Sequence, residues 1–504
     1  EAGDRICPAL PSPMLESPYD RRRADDEEDA KNIAQVDNGD VAPFGVGLNL
    51  VKCAVGAGSF TFPFAFTQTG IVCGIIGIIL FAVMAAYTMK LLADAEKKFL
   101  MIRDYRPIES PETGKPSRNR LTYPELMRTA YPTAEVFGYN YMAGLLYVTV
   151  VLTSLGICVA YVLFITSTMN HGFGWDTDYT VLGLSVPILI LAMFKSFKLL
   201  AFTSVLGDVA VTAGLIGTIW GGLAAGRTLS WPDNIPAFNS SRGGDVPIGL
   251  ATLCFMFNIH MMCLPMSQSL KGDMQHPDRF PKVVNISFVF ILTLNLIFTL
   301  LCVMIFHGDD GGILNPVLRN LNTGAPLQVI RVLLCVDLLF TVPMILAVGR
   351  EIIEYTVQYC LGMKQTQIQI NTSPSVGGWQ EDEQRDDGEG SRAYKMVVEV
   401  VSRKQMLITT LVRISMVAIV LSISFGAIEN SGVNQAFSDV VALIGGVSGS
   451  LLGFILPPLL YMGAYKEPGE IGALSRVIMI SIVIIGLGLL GSTTYFTAKS
   501  MAHS

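Results

Sequence analysis

The chain carries about eleven apolar runs of roughly 20 residues, each long enough to cross a bilayer. That feature admits few folds, because lipid offers no hydrogen-bond partners to an open backbone. Composition agrees: 51% of the 504 residues are hydrophobic, 15% are charged, and mean hydropathy is +0.50. Soluble domains carry about 25% charged residues. The runs fall at 44–69, 71–98, 134–169, 179–195, 198–224, 248–268, 280–306, 325–358, 404–428, 436–463 and 474–497. The expected fold class is all-α membrane, with a transmembrane domain over 43–500, a disordered cytoplasmic tail over 1–42 and a disordered cytoplasmic loop over 364–402. No initiator Met is present and residues 1–42 hold no apolar h-region, so a fragment or processed chain without a cleavable signal peptide is expected.

Lys and Arg set the orientation. Five fall in 1–42, eight between Lys97 and Arg128, and six between Lys364 and Lys404. Lys195, Lys198, Lys271, Arg279, Lys282, Lys466 and Arg476 lie on the same side, against Arg227, Arg242, Arg319 and Lys499 on the other. The N-terminus is therefore expected inside and the C-terminus outside or luminal. Asn239-Ser240-Ser241 is then a glycosylation sequon in an external loop, and Asn371-Thr372-Ser373 a cytoplasmic one that should stay unmodified. None of the nine cysteines lies in a predicted external loop, so no disulfide framework is indicated. The net charge of −6 comes mainly from the tail and loop and points to no nucleic-acid partner. With no phosphate-binding glycine loop and no Cys/His set at metal spacing, no enzyme, cofactor or metal site is expected.

Two runs are broken. The first reads LNLVKCAVGAGSFTFP from Leu48 to Pro63, with Gly56-Ala57-Gly58-Ser59 where a spanning helix should be continuous. The sixth reads IGLATLCFMFNIHMMCLPMSQSLKG, with Pro247 before it and Pro265 inside it, as Pro43 and Pro63 flank and enter the first. The first starts inside and the sixth outside, so helices 1–5 (44–224) and 6–10 (248–463) form inverted five-helix units, followed by helix 11 (474–497). Paired breaks in inverted halves point to a midplane binding site. Backbone N–H groups near Val55, Gly56, Ala57, Gly58, Ser59 and Phe60 suit an α-carboxylate. Carbonyls near Phe257, Asn258, Ile259 and His260 suit an α-ammonium, so the expected substrate is an amino acid.

These segments resemble the amino acid/auxin permease family. The anchors are Asn49 to Gly58 with Pro63 and Thr69-Gly70, then Phe257-Asn258-Ile259-His260 with Leu264-Pro265. Gly272-Asp273-Met274-Gln275-His276-Pro277, and Phe340-Thr341-Val342-Pro343 with Arg350, complete the pattern. The resemblance implies eleven helices in a 5+5 inverted repeat of the leucine-transporter type plus one, and alternating-access amino acid transport. Sodium-coupled neutral members carry Asn, a sodium ligand, where this chain has Lys52; proton-coupled members carry Lys. An ammonium has no lone pair for Na⁺. The expectation is a proton-coupled, Na⁺-independent symporter favouring neutral amino acids, with Thr341 bonding Lys52. Snorkelling of Lys52 to the surface stands as its alternative.

Asp208 and Asp337 are intramembrane carboxylates, each a candidate proton carrier or partner of Lys52. His260 is a pocket-lining group or a proton carrier. Arg413 reads as structural or as snorkelling to the surface. A Na⁺-coupled neutral amino acid transporter and a membrane amino acid sensor remain the competing functions, and vacuolar, other endomembrane and plasma-membrane locations stay open.

Overall fold

The computed structural model describes residues 41–102, 108–109, 116–117, 123–133, 135–136, 139–193, 198–239, 245–271, 278–361, 367–372, 394–399, 403–467 and 469–503. The polar tail up to residue 40, the segment Gly272–Pro277 and most of 364–402 lie outside these. Within 364–402, Gln367–Thr372 and Tyr394–Glu399 pair as antiparallel strands.

Helix α1 (Pro43–Ala54) starts on Pro43, whose fixed φ suits a first turn. A 3₁₀ turn, Ala57–Thr61, and α2 (Phe62–Thr69) follow. Then come α3 (Ile71–Ile102), the short α4 (Tyr123–Ala130), α5 (Tyr141–Phe173), α6 (Thr177–Met193) and α7 (Lys198–Ala224). The second broken element is α8 (Asp245–Phe255), a 3₁₀ turn His260–Met262 and α9 (Cys263–Ser269). Helices α10 (Arg279–Phe306), α11 (Ala325–Cys360), α12 (Arg403–Leu443), a π-helical stretch Ile444–Ile455, α13 (Leu456–Ala464) and α14 (Ala473–His503) complete the chain. We call the end that carries Asn239 the outer end and the end that carries Lys98 the inner end.

Among the described residues, eight helices are long and apolar enough to cross a membrane, or nine with the first bent pair as one. α6, at 17 residues, is shorter than these. The sequence separates a ninth and a tenth span between 428 and 436. Gly432, at φ 74 and ψ 154, is non-helical and falls in that interval, so α12 is two helical segments joined at a kink there. The third span begins at Tyr141 rather than 134, because Asn140 caps it by accepting the Ala143 amide at 3.0 Å.

α5 is the most enclosed span, 72% buried, and packs on α11 and α12; α14 is the most peripheral at 22%. Glycines set the closest approaches. A Cβ at Gly445, Gly449 or Gly453 would meet Ala251 O at 2.0 Å, Cys254 Sγ at 2.7 Å or the His260 ring at 3.1 Å. The π-helical stretch thus lies directly along the second broken element.

Charges inside the bundle are paired or capped. Arg413 Nε donates to Glu354 Oε1 at 2.9 Å and its Nη1 to Met193 O at 3.0 Å, while Arg350 reaches Ala192 O at 3.3 Å. The two guanidiniums therefore cap the C-terminal carbonyls of α6, the structural role expected of Arg413. Arg331, 1% exposed, donates to Leu318 O and Leu321 O.

Candidate functional site

The two breaks meet. α1 and the helical segment after it bend by 41°. Val55 (φ −83, ψ 108) and Gly56 (φ −169, ψ −141) are extended, so the α-helical ladder stops at the Val55 N–H to Val51 O bond. Across from them, α8 ends at Phe255, and Phe257 and Asn258 make only i→i−3 bonds to Cys254 O and Phe255 O. A Cβ at Gly58 would touch Phe255 Cδ1 at 3.4 Å and Met256 Cβ at 3.5 Å, and Ser59 Oγ lies 3.9 Å from Met256 Sδ. Gly58 thus lets one unwound backbone lie against the other. A Cβ at Gly56 would meet nothing within 4 Å, so the open space is on that side.

The expected site residues separate into two kinds. Ala57 and Gly58 present the first amides of the 3₁₀ turn, while the Ser59 amide is taken by Gly56 O at 3.0 Å. Phe60 and Phe257, 0% and 1% exposed, are anchors rather than open pocket walls. Phe60 packs edge-on to Phe298 at 5.8 Å and Phe257 stacks on Phe288 at 6.1 Å, both on α10. Ile259 is buried. Asn258 is buried, and neither its Nδ2 nor its Oδ1 has a hydrogen-bond partner. A buried amide with both ends unmatched inside a helix break is a place where a polar ligand would complete the bonding.

His260 is fixed by α3. Its Nε2 lies 2.9 Å from Thr88 Oγ1, whose single proton goes to Met84 O at 2.9 Å. With the Thr88 proton on Met84 O, the ring donates through Nε2–H and Nδ1 is left as acceptor. That Nδ1 has no partner and faces Gly453. The contact with Thr88 holds the orientation of the ring.

One turn before the first break, Lys52 Nζ lies 3.8 Å from Asp208 Oδ1, with side chains 23% and 58% exposed. A Cβ at Gly207 would sit 1.9 Å from Asp337 Oδ1, so α7 and α11 are in contact at this level. Asp337 is within electrostatic reach of Lys52, Asp208 and Tyr161. The structure thus brings the three expected charged residues together, with Lys52 turned to a partner. The Thr341 hydroxyl donates to Asp337 O at 2.9 Å, four residues back in its own helix. With its only proton so placed, it can accept from Lys52 but cannot donate.

Sequence reasoning passed over Asp439. It is 2% exposed, accepts from Gln435 Nε2 at 2.8 Å, and leaves Oδ2 without a partner. The signal was an acidic residue inside the apolar run 436–463. A cavity of about 540 Å³ lies among α5, α6 and α11, lined mainly by apolar side chains such as Ile165, Met169, Val332 and Leu339, with Asp176, Tyr179 and Thr180 also on its wall. None of the residues of the two breaks lines it.

Two broken helices crossing at mid-bundle, with a charged cluster beside them, define a membrane transporter of the broken-helix class. Solved structures share this fold. The inward-facing conformation of Mhp1 matches with a TM-score of 0.53 at 9% identity, covering 91% of each chain. A Na⁺-coupled sialic acid symporter matches with a TM-score of 0.50 at 11% identity, covering 91% of this chain and 90% of that one. The chain belongs to the family described as transmembrane amino acid transporter protein, which matches residues 43–499. This is a family of transporters, not enzymes. Curated relatives include amino acid transporter AVT3B of Arabidopsis thaliana, 21% identical over 470 residues, or 89% of this chain and 92% of that protein. Vacuolar amino acid transporter 7 of Saccharomyces cerevisiae is 24% identical over 163 residues, 32% of this chain and 28% of that protein.

Proposed function

We propose that the chain is a secondary active transporter that moves amino acids, neutral ones by preference, by proton symport without Na⁺. The observation that carries this is the Lys52–Asp208–Asp337 cluster one turn from the meeting point of the two breaks. The amides of Ala57 and Gly58 bind the α-carboxylate at the positive end of the second half-helix. The unwound backbone from Phe257 to His260, with Asn258, takes the α-ammonium. Lys52 holds the positive charge that a metal cation would otherwise supply, and Asp208 or Asp337 carries the coupling proton.

The reading of the architecture is eleven crossings in a 5+5 inverted repeat plus one. Its support is length. Met406–Ala464 runs for 59 residues, about 88 Å at 1.5 Å per residue, too long for a single crossing of a hydrocarbon core of about 30 Å. Divided at Gly432 it gives two crossings, and α6 makes a short one. The Lys/Arg distribution supports the inner end as cytoplasmic, with the N-terminus there and the C-terminus luminal or external. A relative named as vacuolar supports an endomembrane location.

Purified protein in proteoliposomes, given labelled neutral, acidic and basic amino acids under an imposed pH or Na⁺ gradient, tests the reading. Uptake should follow the pH gradient and ignore Na⁺. Strict Na⁺ dependence would remove the role given to Lys52, and saturable binding without flux would favour a sensor.

A further inference from the structure

The segment from Arg227 to Asn239 crosses the outer face and is bonded at both ends. At its base, Arg227 makes a two-point ion pair with Asp309, at 2.6 and 3.0 Å, and its Nη2 also donates to Asn320 O at 2.9 Å. Ser230 N donates to Met304 O at 3.3 Å and Asn234 Nδ2 to His307 O at 2.6 Å. At its tip, the segment seals the junction between α2 and α3. The last carbonyls of α2 and the first amides of α3 have no partners inside their helices. Asn239 N donates to Thr69 O at 3.1 Å, and Asn239 Nδ2 donates to Gln68 O at 2.9 Å. In the other direction, Ile71 N and Val72 N donate to Pro236 O and Ala237 O at 3.1 and 3.0 Å. Gly70, at φ +86, makes room for this, because a Cβ there would sit 2.7 Å from Ala237 O.

We propose that residues 227–239 are a strap tying the outer half of the first broken helix to the outer end of α10, with Asn239 as the positioning residue at its tip. The inference rests on the transport reading, since alternating access moves one bundle against the other around the site and the strap bridges two elements on its outer side. Asn239 is also the sequon asparagine. Both N–H bonds of Nδ2 face carbonyls of α2, Gln68 O at 2.9 Å and Thr67 O at 3.5 Å. A glycan on that nitrogen replaces one of its two N–H bonds, so at most one of these two contacts survives glycosylation.

Three substitutions in the full chain separate the possibilities. Asn239→Asp keeps the shape and turns the donor into an oxygen that faces carbonyls. Ser241→Ala abolishes the sequon and leaves the tip bonds intact. Gly70→Ala pushes the tip away without touching Asn239. Backbone hydrogen exchange at Ile71, Val72 and Asn239 reads strap closure whether or not any amino acid is transported. About tenfold faster exchange is expected in Asn239→Asp and Gly70→Ala, and wild-type exchange in Ser241→Ala. In proteoliposomes the first two should shift KM at the outer face about tenfold, while a purely structural role would lower only the yield of folded protein. Unchanged exchange in both strap variants, or the same KM shift in Ser241→Ala, would overturn the proposal. Fast exchange with no flux in any variant, wild type included, would uphold the strap and sink the transport reading instead.

Discussion

Replacing Lys52 with Asn is the sharpest perturbation of the coupling cluster. The ammonium lies 3.8 Å from Asp208. Two unit charges at that distance attract by about 1 kcal/mol at the dielectric of water and about 4 kcal/mol at an effective dielectric of 20. Asp208 is 58% exposed and Lys52 23%, so the lower part of that range applies, about 1–2 kcal/mol. That energy corresponds to a roughly five- to thirtyfold effect. Proton-driven uptake in Lys52→Asn vesicles should fall by that factor, and its pH dependence should flatten. Asp208→Asn added to Lys52→Asn should cost little more, because the partner is already gone; a double-mutant cycle reads the coupling directly. Uptake by Lys52→Asn with the wild-type pH profile would refute the reasoning, and so would two losses that simply multiply.

Three further outcomes are expected. Thr88→Val takes away the acceptor for His260 Nε2–H, and a buried unpaired donor costs about 1–3 kcal/mol; thermal melting should fall accordingly, and Thr88→Ser should restore it. Gly445→Ala drives a Cβ to 2.0 Å from Ala251 O, a backbone atom that cannot rotate away. Its cost should exceed the ordinary overpacking penalty of about 1–3 kcal/mol, visible as loss of monodisperse protein in size-exclusion chromatography. At the inner end, the Lys98 ammonium bonds Glu470 and holds that carboxyl below its usual 4.5. A lowered folded value means the contact stabilises fully above about pH 4.5 and is lost as pH falls through the lowered value. Glu470→Gln should therefore lower the melting temperature near neutral pH and leave it unchanged in strong acid.

The inner end carries its own contacts on the same helices. Lys98 lies 5.0 Å from the Tyr465 ring, which stacks on Tyr461 at 4.3 Å. Val41 pairs with the end of the second broken element, its N–H to Ser269 O at 3.1 Å and its O to Lys271 N at 3.0 Å. Both ends of the first broken helix are thus held by backbone hydrogen bonds, by Ser269 and Lys271 at one end and the 227–239 strap at the other. Such bonds break and re-form at modest net cost, which suits a helix that has to move.

What the sequence determined by itself was whatever depends on solvent and on local backbone chemistry. Twenty-residue apolar runs force spanning helices because lipid leaves no other way to satisfy the backbone. Gly56 to Ser59 and the stretch before Pro265 mark the breaks because glycine and proline act on their own residue or the next turn. The Lys52, Asp208 and Asp337 candidates were legible because charge is costly in a membrane wherever it is placed. The tertiary structure decided what depends on direction. It turned Phe60 and Phe257 into α10 to anchor the breaks, left Asn258 unmatched, and gave the Thr341 proton to its own helix. It fixed the His260 ring against Thr88, 172 residues away, and brought Asn239 onto α2 across a similar sequence distance. Contacts between residues so far apart leave no periodic trace in the chain, and only packing in three dimensions selects them.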